Sequence, residues 1–383
     1  VPLKKPKISL FCFIDALGWE IVQKYGFLNE VLTHQQPLDT VFGYSSTCDP
    51  TIITGAKPSD HGHFSFYYYN PKESPFTWMS WLGLLPKSIT SRGRVRHWIS
   101  RLLKKVLGYT GYFQIYTMPF SLMRYFDYSE KRDIYQPGGI NGGQETIFAQ
   151  LEREKIPYFL SPWWTSEQHN LQLLKDTLVQ QSPQLAYLYM ASMDAILHAD
   201  GTDSPRVREK IRWYEQQLLQ VLEVAHSQYE EVRLYVFSDH GMTDVTSLSS
   251  LRGQIERLPL TFGKDYVAVF DSTMARFWFL NDQARQQITA HLSACPDGKI
   301  MTDAELDAYG CLFPGYKYGE LFYLLKPGVL LCPSHLGETA LKGMHGYAPE
   351  DRDSVASLLS NCEPPIPMKG LADLFKLMQQ EVH

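Results

Sequence analysis

ISLFCFID (residues 8–15) and VRLYVFSD (residues 232–239) are apolar runs that each stop on an aspartate. A strand with one wet face alternates polar and apolar side chains, whereas a parallel strand covered on both faces reads as a nearly continuous apolar run. AYLYMASMD (residues 186–194) is a third such run. Open sheets of parallel strands present their polar groups at the carboxyl edge. The three runs therefore predict an α/β fold in which Asp15, Asp194 and Asp239 end three strands side by side. A single aspartate in such a place is often only a helix cap, but three at strand ends form a set.

Histidines accompany these aspartates: His198 follows Asp194 by one helical turn, His240 follows Asp239 directly, and His345 stands in GMHGY. Three carboxylates and three imidazoles are a suitable ligand set for zinc or manganese. Two divalent cations exceed the charge of three ionised aspartates by one, so an anionic nucleophile would bring such a site near neutrality.

The remaining periodicities outline the chain. A helix is expected over Trp19 to Thr33, then a Ser/Thr-rich turn, then a short helix in PTIITGAKPSDHGH broken by Gly55 and Pro58. From Gly143 helices alternate with the strand PYFLS and with the strands ending at Asp194 and Asp239, as repeated βα units. DYVAVF, ARFWFL and ELFYLLKPG read as strands of a smaller α+β piece around the helix DQARQQITAHLSAC. The expected organisation is an α/β core with a mostly parallel sheet in residues 1–70, 144–250 and 330–383, an aromatic insertion or lid at 71–143, and a small α+β subdomain at 251–329.

With 36 basic and 41 acidic residues among 383, a net charge of −5 excludes a nucleic-acid clamp that works by charge alone. The stretch from Arg92 to Lys105 is the basic exception, and its pattern favours a solvated amphipathic helix over a polyanion or membrane patch. No apolar run reaches transmembrane length, and VPLKKPK leads into the first strand without a signal-peptide pattern. The cysteines at 12, 48, 295, 311, 332 and 362 form no CxxC pair, so reduced thiols in a cytoplasmic protein are expected. Internal repeats and glycine-rich nucleotide loops are absent.

Asp15, Ser45 with TGAKPSDHG behind it, Asp194 and His198, the run SDHGM at 238–242, and His345-Gly346-Tyr347 together resemble the alkaline phosphatase superfamily, in particular its type I phosphodiesterase/nucleotide pyrophosphatase branch. The resemblance covers residues 8 to about 355. It implies an α/β/α sandwich around a central, mostly parallel (mixed) sheet, and hydrolysis of a small-molecule phosphate ester, as a phosphodiesterase or nucleotide pyrophosphatase working through a covalent phosphoseryl intermediate. Phosphomonoesterases, phosphonate hydrolases and phosphotransferases share the constellation, and a silent metal-binding scaffold is the contrasting class. Two divalent ions are implied, Zn²⁺ before Mn²⁺, with Asp194, His198 and His345 holding one and Asp15, Asp239 and His240 the other.

Family members carry the nucleophile nine residues before the threonine of the TG pair, which lands on Ser45, with Ser46 and Thr47 as neighbouring alternatives. Relatives usually place an asparagine four residues after the HG glycine, where this chain has Phe66. His63 and Asn70 are then the candidates for orienting the phosphoryl oxygen. The stretch Ser45 to Asp49 lacks the Pro and Arg of a sulfatase maturation motif. Aromatics crowd the region, with Phe64, Phe66, Tyr67, Tyr68, Tyr69, Trp78 and Trp81, and Trp163-Trp164 lie farther on. Packing accounts for most of the first group, and a ring-stacking platform is the functional alternative.

Overall fold

The computed structural model describes residues 4–84 and 92–383. Its central sheet has six strands in the order His34–Leu38, Ala356–Ser360, Tyr229–Phe237, Lys5–Ile14, Leu185–Met190 and Tyr158–Leu160. The last four of these run parallel, and Ala356–Ser360 is antiparallel to both its neighbours, so the sheet is mixed.

Successive side chains of a strand point to opposite faces. On one face Leu10, Cys12 and Ile14 join Leu188 and Met190 against Leu171 and Leu174 of the helix Glu167–Gln180 and Leu218 and Val221 of the helix Pro205–Gln228. On the other, Phe11, Phe13, Tyr187, Tyr235 and Phe237 pack against Ile52 and Ile53 of the helix Ser45–Thr54 and Leu374 and Leu377 of Asp373–Val382. Helices thus cover both faces, giving the α/β/α sandwich that the resemblance implies.

Three local expectations are corrected. The helix from Trp19 ends at Tyr25 rather than Thr33, because Gly26, at φ 68°, turns the chain out and its N–H caps Val22. The helix before TGAKPSDHG begins at Ser45 and runs through Pro50 to Thr54, and Gly55, in the left-handed region, ends it. Asp194 does not end a strand: the strand stops at Met190, and Asp194 lies in the first turn of the helix Ser192–Asp200. On that helix Asp194 and His198 share one face.

A second, antiparallel sheet has the order Tyr266–Phe270, Met274–Phe279, Leu321–Leu325 and Gly298–Ile300. Strands Tyr67–Tyr69 and Phe126–Tyr128 pair with each other, and Phe76, Met79, Leu103 and Phe113 between them build an aromatic core against Val267, Val269 and Trp278. Phe64 and Tyr67 are therefore packing residues, whereas Trp78 and Trp81 are exposed. The buried ion pair Arg276–Asp271 (Nε to Oδ2 2.7 Å) ties this sheet to the strand leading from the Ser45 helix, since the guanidinium also donates to Ser65 Oγ and to the Tyr67 carbonyl.

Candidate active site

The turns after the two central strands are held against each other at the carboxyl edge. Ala16, at φ 63°, redirects the chain immediately after Asp15, and its N–H donates to Asp239 Oδ1 at 3.2 Å. Gly18 and Gly241 approach so closely that a Cβ on Gly18 would lie 2.3 Å from the Gly241 Cα. His345 comes from far along the chain, and is delivered beside this edge because Gly343–Met344 pairs with Thr243–Asp244.

Two groups of three potential ligands result, each with its ligand atoms within 4.8 Å of one another: Asp15, Asp239 and His240, and Asp194, His198 and His345. In the first, His240 Nε2 lies 3.0 Å from Asp239 Oδ2 and 3.7 Å from Asp15 Oδ1. In the second, Asp194 Oδ1 lies 3.2 Å from His198 Nε2 and 3.6 Å from His345 Nε2. His198 Nδ1 hydrogen-bonds the Gly343 carbonyl and His240 Nδ1 the Gly241 carbonyl, each at 2.8 Å. A carbonyl can only accept, so each Nδ1 carries the proton and each Nε2 presents its lone pair to the carboxylates when the ring is neutral.

The donor set fits divalent cations. Asp15 Oδ1, Asp194 Oδ1 and Asp239 Oδ2 are buried without a hydrogen-bond partner, a costly arrangement unless a cation serves them. Burial, then the charges of Asp239, Asp194 and Asp49, push the Asp15 carboxyl well above its ordinary range. Burial and then His240 hold His345 well below the usual imidazole range. Burial opposes ionisation of Asp194 too, but His198, by charge and hydrogen bond, outweighs it and holds that carboxyl low. His345 is thus held neutral, the form in which an imidazole ligates, whereas the raised Asp15 carboxyl would hold a cation in exchange for its proton.

Ser45 stands at the start of its helix with Oγ 3.1 Å from His240 Nε2. Its two neighbours are engaged elsewhere: Ser46 Oγ and Thr47 Oγ1 both donate to the Phe64 carbonyl, at 2.9 and 2.7 Å. His63 and Asn70 are not brought to the cavity. His63 is buried and accepts the Asn141 N–H at 3.0 Å, and Asn70, at the end of the strand Tyr67–Tyr69, donates to Glu73. Phe66 does line it, and stacks on Tyr116 with centroids 5.4 Å apart.

The cavity beside Ser45 has a volume of about 420 Å³. Beyond the ligands its lining is aromatic and acidic, with Tyr112, Tyr116, Trp163, Glu130 and Asp133, and no lysine or arginine lines it among the described residues. Asp49, four residues after Ser45 and so on the same helix face, also lines it and leaves Oδ1 unpartnered. Asp49 was legible in principle, since a helix starting at Ser45 places it there. Glu130 and Tyr116 carry no such signal, because they arrive through loops. Glu130 is 9% exposed and its carboxyl makes no hydrogen bond to any described residue. Burial and Asp133 push it up to about 8, with Lys104 opposing.

Known proteins share this architecture. An inactive variant of murine ectonucleotide pyrophosphatase/phosphodiesterase 5 in complex with AMP superposes with a TM-score of 0.69 at 15% identity, covering 99% of this chain and 95% of that one. The human form gives 0.68 at 14% identity, covering 98% and 94%. Phosphonoacetate hydrolase from Sinorhizobium meliloti in complex with phosphonoacetate gives 0.64 at 12%, covering 99% and 97%. At these identities the likeness speaks for the fold alone. No curated relative matches the sequence at a significant level. The type I phosphodiesterase/nucleotide pyrophosphatase family matches residues 14–347, which span both ligand groups and Ser45. The chain therefore belongs to the type I phosphodiesterase/nucleotide pyrophosphatase family, and is a phosphoric ester hydrolase.

Proposed function

We propose that this chain hydrolyses a phosphodiester or pyrophosphate through Ser45. The observation that carries the reading is the 3.1 Å approach of Ser45 Oγ to His240 Nε2, at the edge of two adjoining ligand groups. Asp194, His198 and His345 would hold one divalent ion and Asp15, Asp239 and His240 the other, with zinc favoured by the mixed nitrogen and oxygen donors. Bound there, the ions supply Lewis acidity toward the phosphoryl oxygens and lower the pKa of the serine hydroxyl and of water.

Ser45 Oγ releases its proton to solvent and attacks phosphorus. The Oγ–P bond forms as the bond to the leaving oxygen breaks, and that oxygen takes a proton from solvent. Water then adds its oxygen to phosphorus and Ser45 leaves, regaining a proton. The aromatic wall of Phe66, Tyr112, Tyr116 and Trp163 supports an unsaturated or ring-bearing leaving group. The lack of a lining lysine or arginine among the described residues favours a diester monoanion over a monoester dianion. All six cysteines are unpaired, which supports the expected reducing, cytoplasmic compartment.

The test compares bis(p-nitrophenyl) phosphate with p-nitrophenyl phosphate after reconstitution with Zn²⁺ or Mn²⁺. The diester should show the higher kcat/KM. A preference of about tenfold for the monoester, equivalent to ~1.4 kcal/mol in the transition state, would remove the diesterase assignment.

A further inference from the structure

The helix Gly93–Val106 contains the basic stretch that the hydrolytic site does not use. One side of it is anchored. Arg96, Ser100 and Leu103 are buried, Arg96 donates to the carbonyls of Tyr116 and Met118 at 2.8 and 2.7 Å, and Leu103 enters the aromatic core. The other side is covered by none of the described residues. Trp98, Leu102 and Val106, spaced by four residues, form one stripe and are 64%, 47% and 69% exposed. Arg94, Arg101 and Lys105 lie exposed beside that stripe, and no acidic residue occurs between Arg92 and Lys105.

Exposed apolar side chains are concentrated here. Of the twelve large ones among the described residues, six fall between residues 78 and 112, including Trp78 and Trp81 on the preceding 3₁₀ segment Thr77–Leu84. By sequence pattern alone a solvated helix is the better reading, but a solvated helix has no cause to leave a tryptophan, a leucine and a valine in line on its outer face. A nucleic acid would satisfy the cations and leave the apolar stripe in water. A lipid interface satisfies both, with the stripe entering the acyl boundary and the cations meeting anionic headgroups.

We propose that the outer face of this helix docks the protein on a bilayer surface containing anionic lipid. The flank of this helix adjoins the hydrolytic cavity. Lys104 Nζ lies 5.2 Å from the Trp163 ring centroid, Trp163 lines the cavity, and Tyr112 and Tyr116, which also line it, follow directly from the helix. Docking therefore sets the cavity next to the headgroup layer.

Vesicle co-sedimentation of the full chain tests this without reference to catalysis. Vesicles of phosphatidylcholine with about 30% phosphatidylserine should bind the protein at least about tenfold more strongly than phosphatidylcholine alone, and the preference should weaken with salt. Trp98→Ser with Leu102→Ser, and separately Arg94→Glu with Arg101→Glu and Lys105→Glu, should each lower binding at least about tenfold. Both variants should keep the wild-type melting temperature and hydrolysis of a soluble ester. Failure of the wild type to bind phosphatidylserine vesicles at physiological salt overturns the proposal. So does undiminished vesicle binding in the serine variant, and so does loss in the glutamate variant alone accompanied by binding of heparin or single-stranded DNA, which would identify a polyanion surface.

Discussion

The imidazoles of His240 and His345 lie face to face, with centroids 3.6 Å apart and planes 11° from parallel. Each ring belongs to a different ligand group, so the two groups share a wall and cannot move independently. Loading one should order the other.

Metal content is the first consequence. Elemental analysis after reconstitution should find two divalent ions per chain, and chelation should lower the melting temperature, since a ligand at a thousand times its Kd stabilises the folded state by about 4 kcal/mol. Full activity with less than one ion per chain would count decisively against the two groups as metal sites.

Loss of a ligand on the Ser45 side should act on turnover. Asp239→Ala or His240→Ala removes a group within 3.0 Å of its partner ligand, and for His240 one that also touches Ser45 Oγ. The kcat should fall by about two to three orders of magnitude while KM changes little, as for a group that acts in the transition state. A near-normal kcat at saturating metal refutes the assignment.

The three neighbouring hydroxyls can be told apart. Ser45→Ala should abolish turnover with little change in stability. Ser46→Ala breaks only the bond to the Phe64 carbonyl, and should cost about 1 kcal/mol of stability with activity retained. Retained activity in the Ser45 variant would move the nucleophile to Ser46 or Thr47.

Glu130 makes stability depend on pH. Its carboxyl is raised from 4.5 to about 8 in the folded protein, so below about pH 4.5 both states hold the proton and the group has no effect. As pH climbs toward 8 the unfolded chain loses that proton and the folded chain keeps it, so stability falls by at most ~1.4 kcal/mol per unit. Glu130→Gln cannot ionise, and its melting temperature should gain on the wild type between about pH 5 and pH 9. A constant difference across that range would show that the carboxyl is not strained by burial.

Much of this was legible in the chain itself. A parallel strand buried on both faces has to be apolar throughout, so ISLFCFID and VRLYVFSD disclose both their burial and the edge where Asp15 and Asp239 emerge. The spacing of Asp194 and His198 holds them on one face of a helix whichever element precedes it. Helix boundaries were less legible. SSTCDPTIIT has low helix propensity and an internal proline that cannot donate its backbone bond, and burial of Ile52 and Ile53 on the sheet overrides both. Contacts between distant segments had no local signal at all. The arrival of His345 beside His240, the passage of Glu130 and Tyr116 into the cavity wall, and the pairing of Arg276 with Asp271 were decided by the tertiary structure, because hydropathy periodicity records which face of an element is buried and carries no record of what it is buried against.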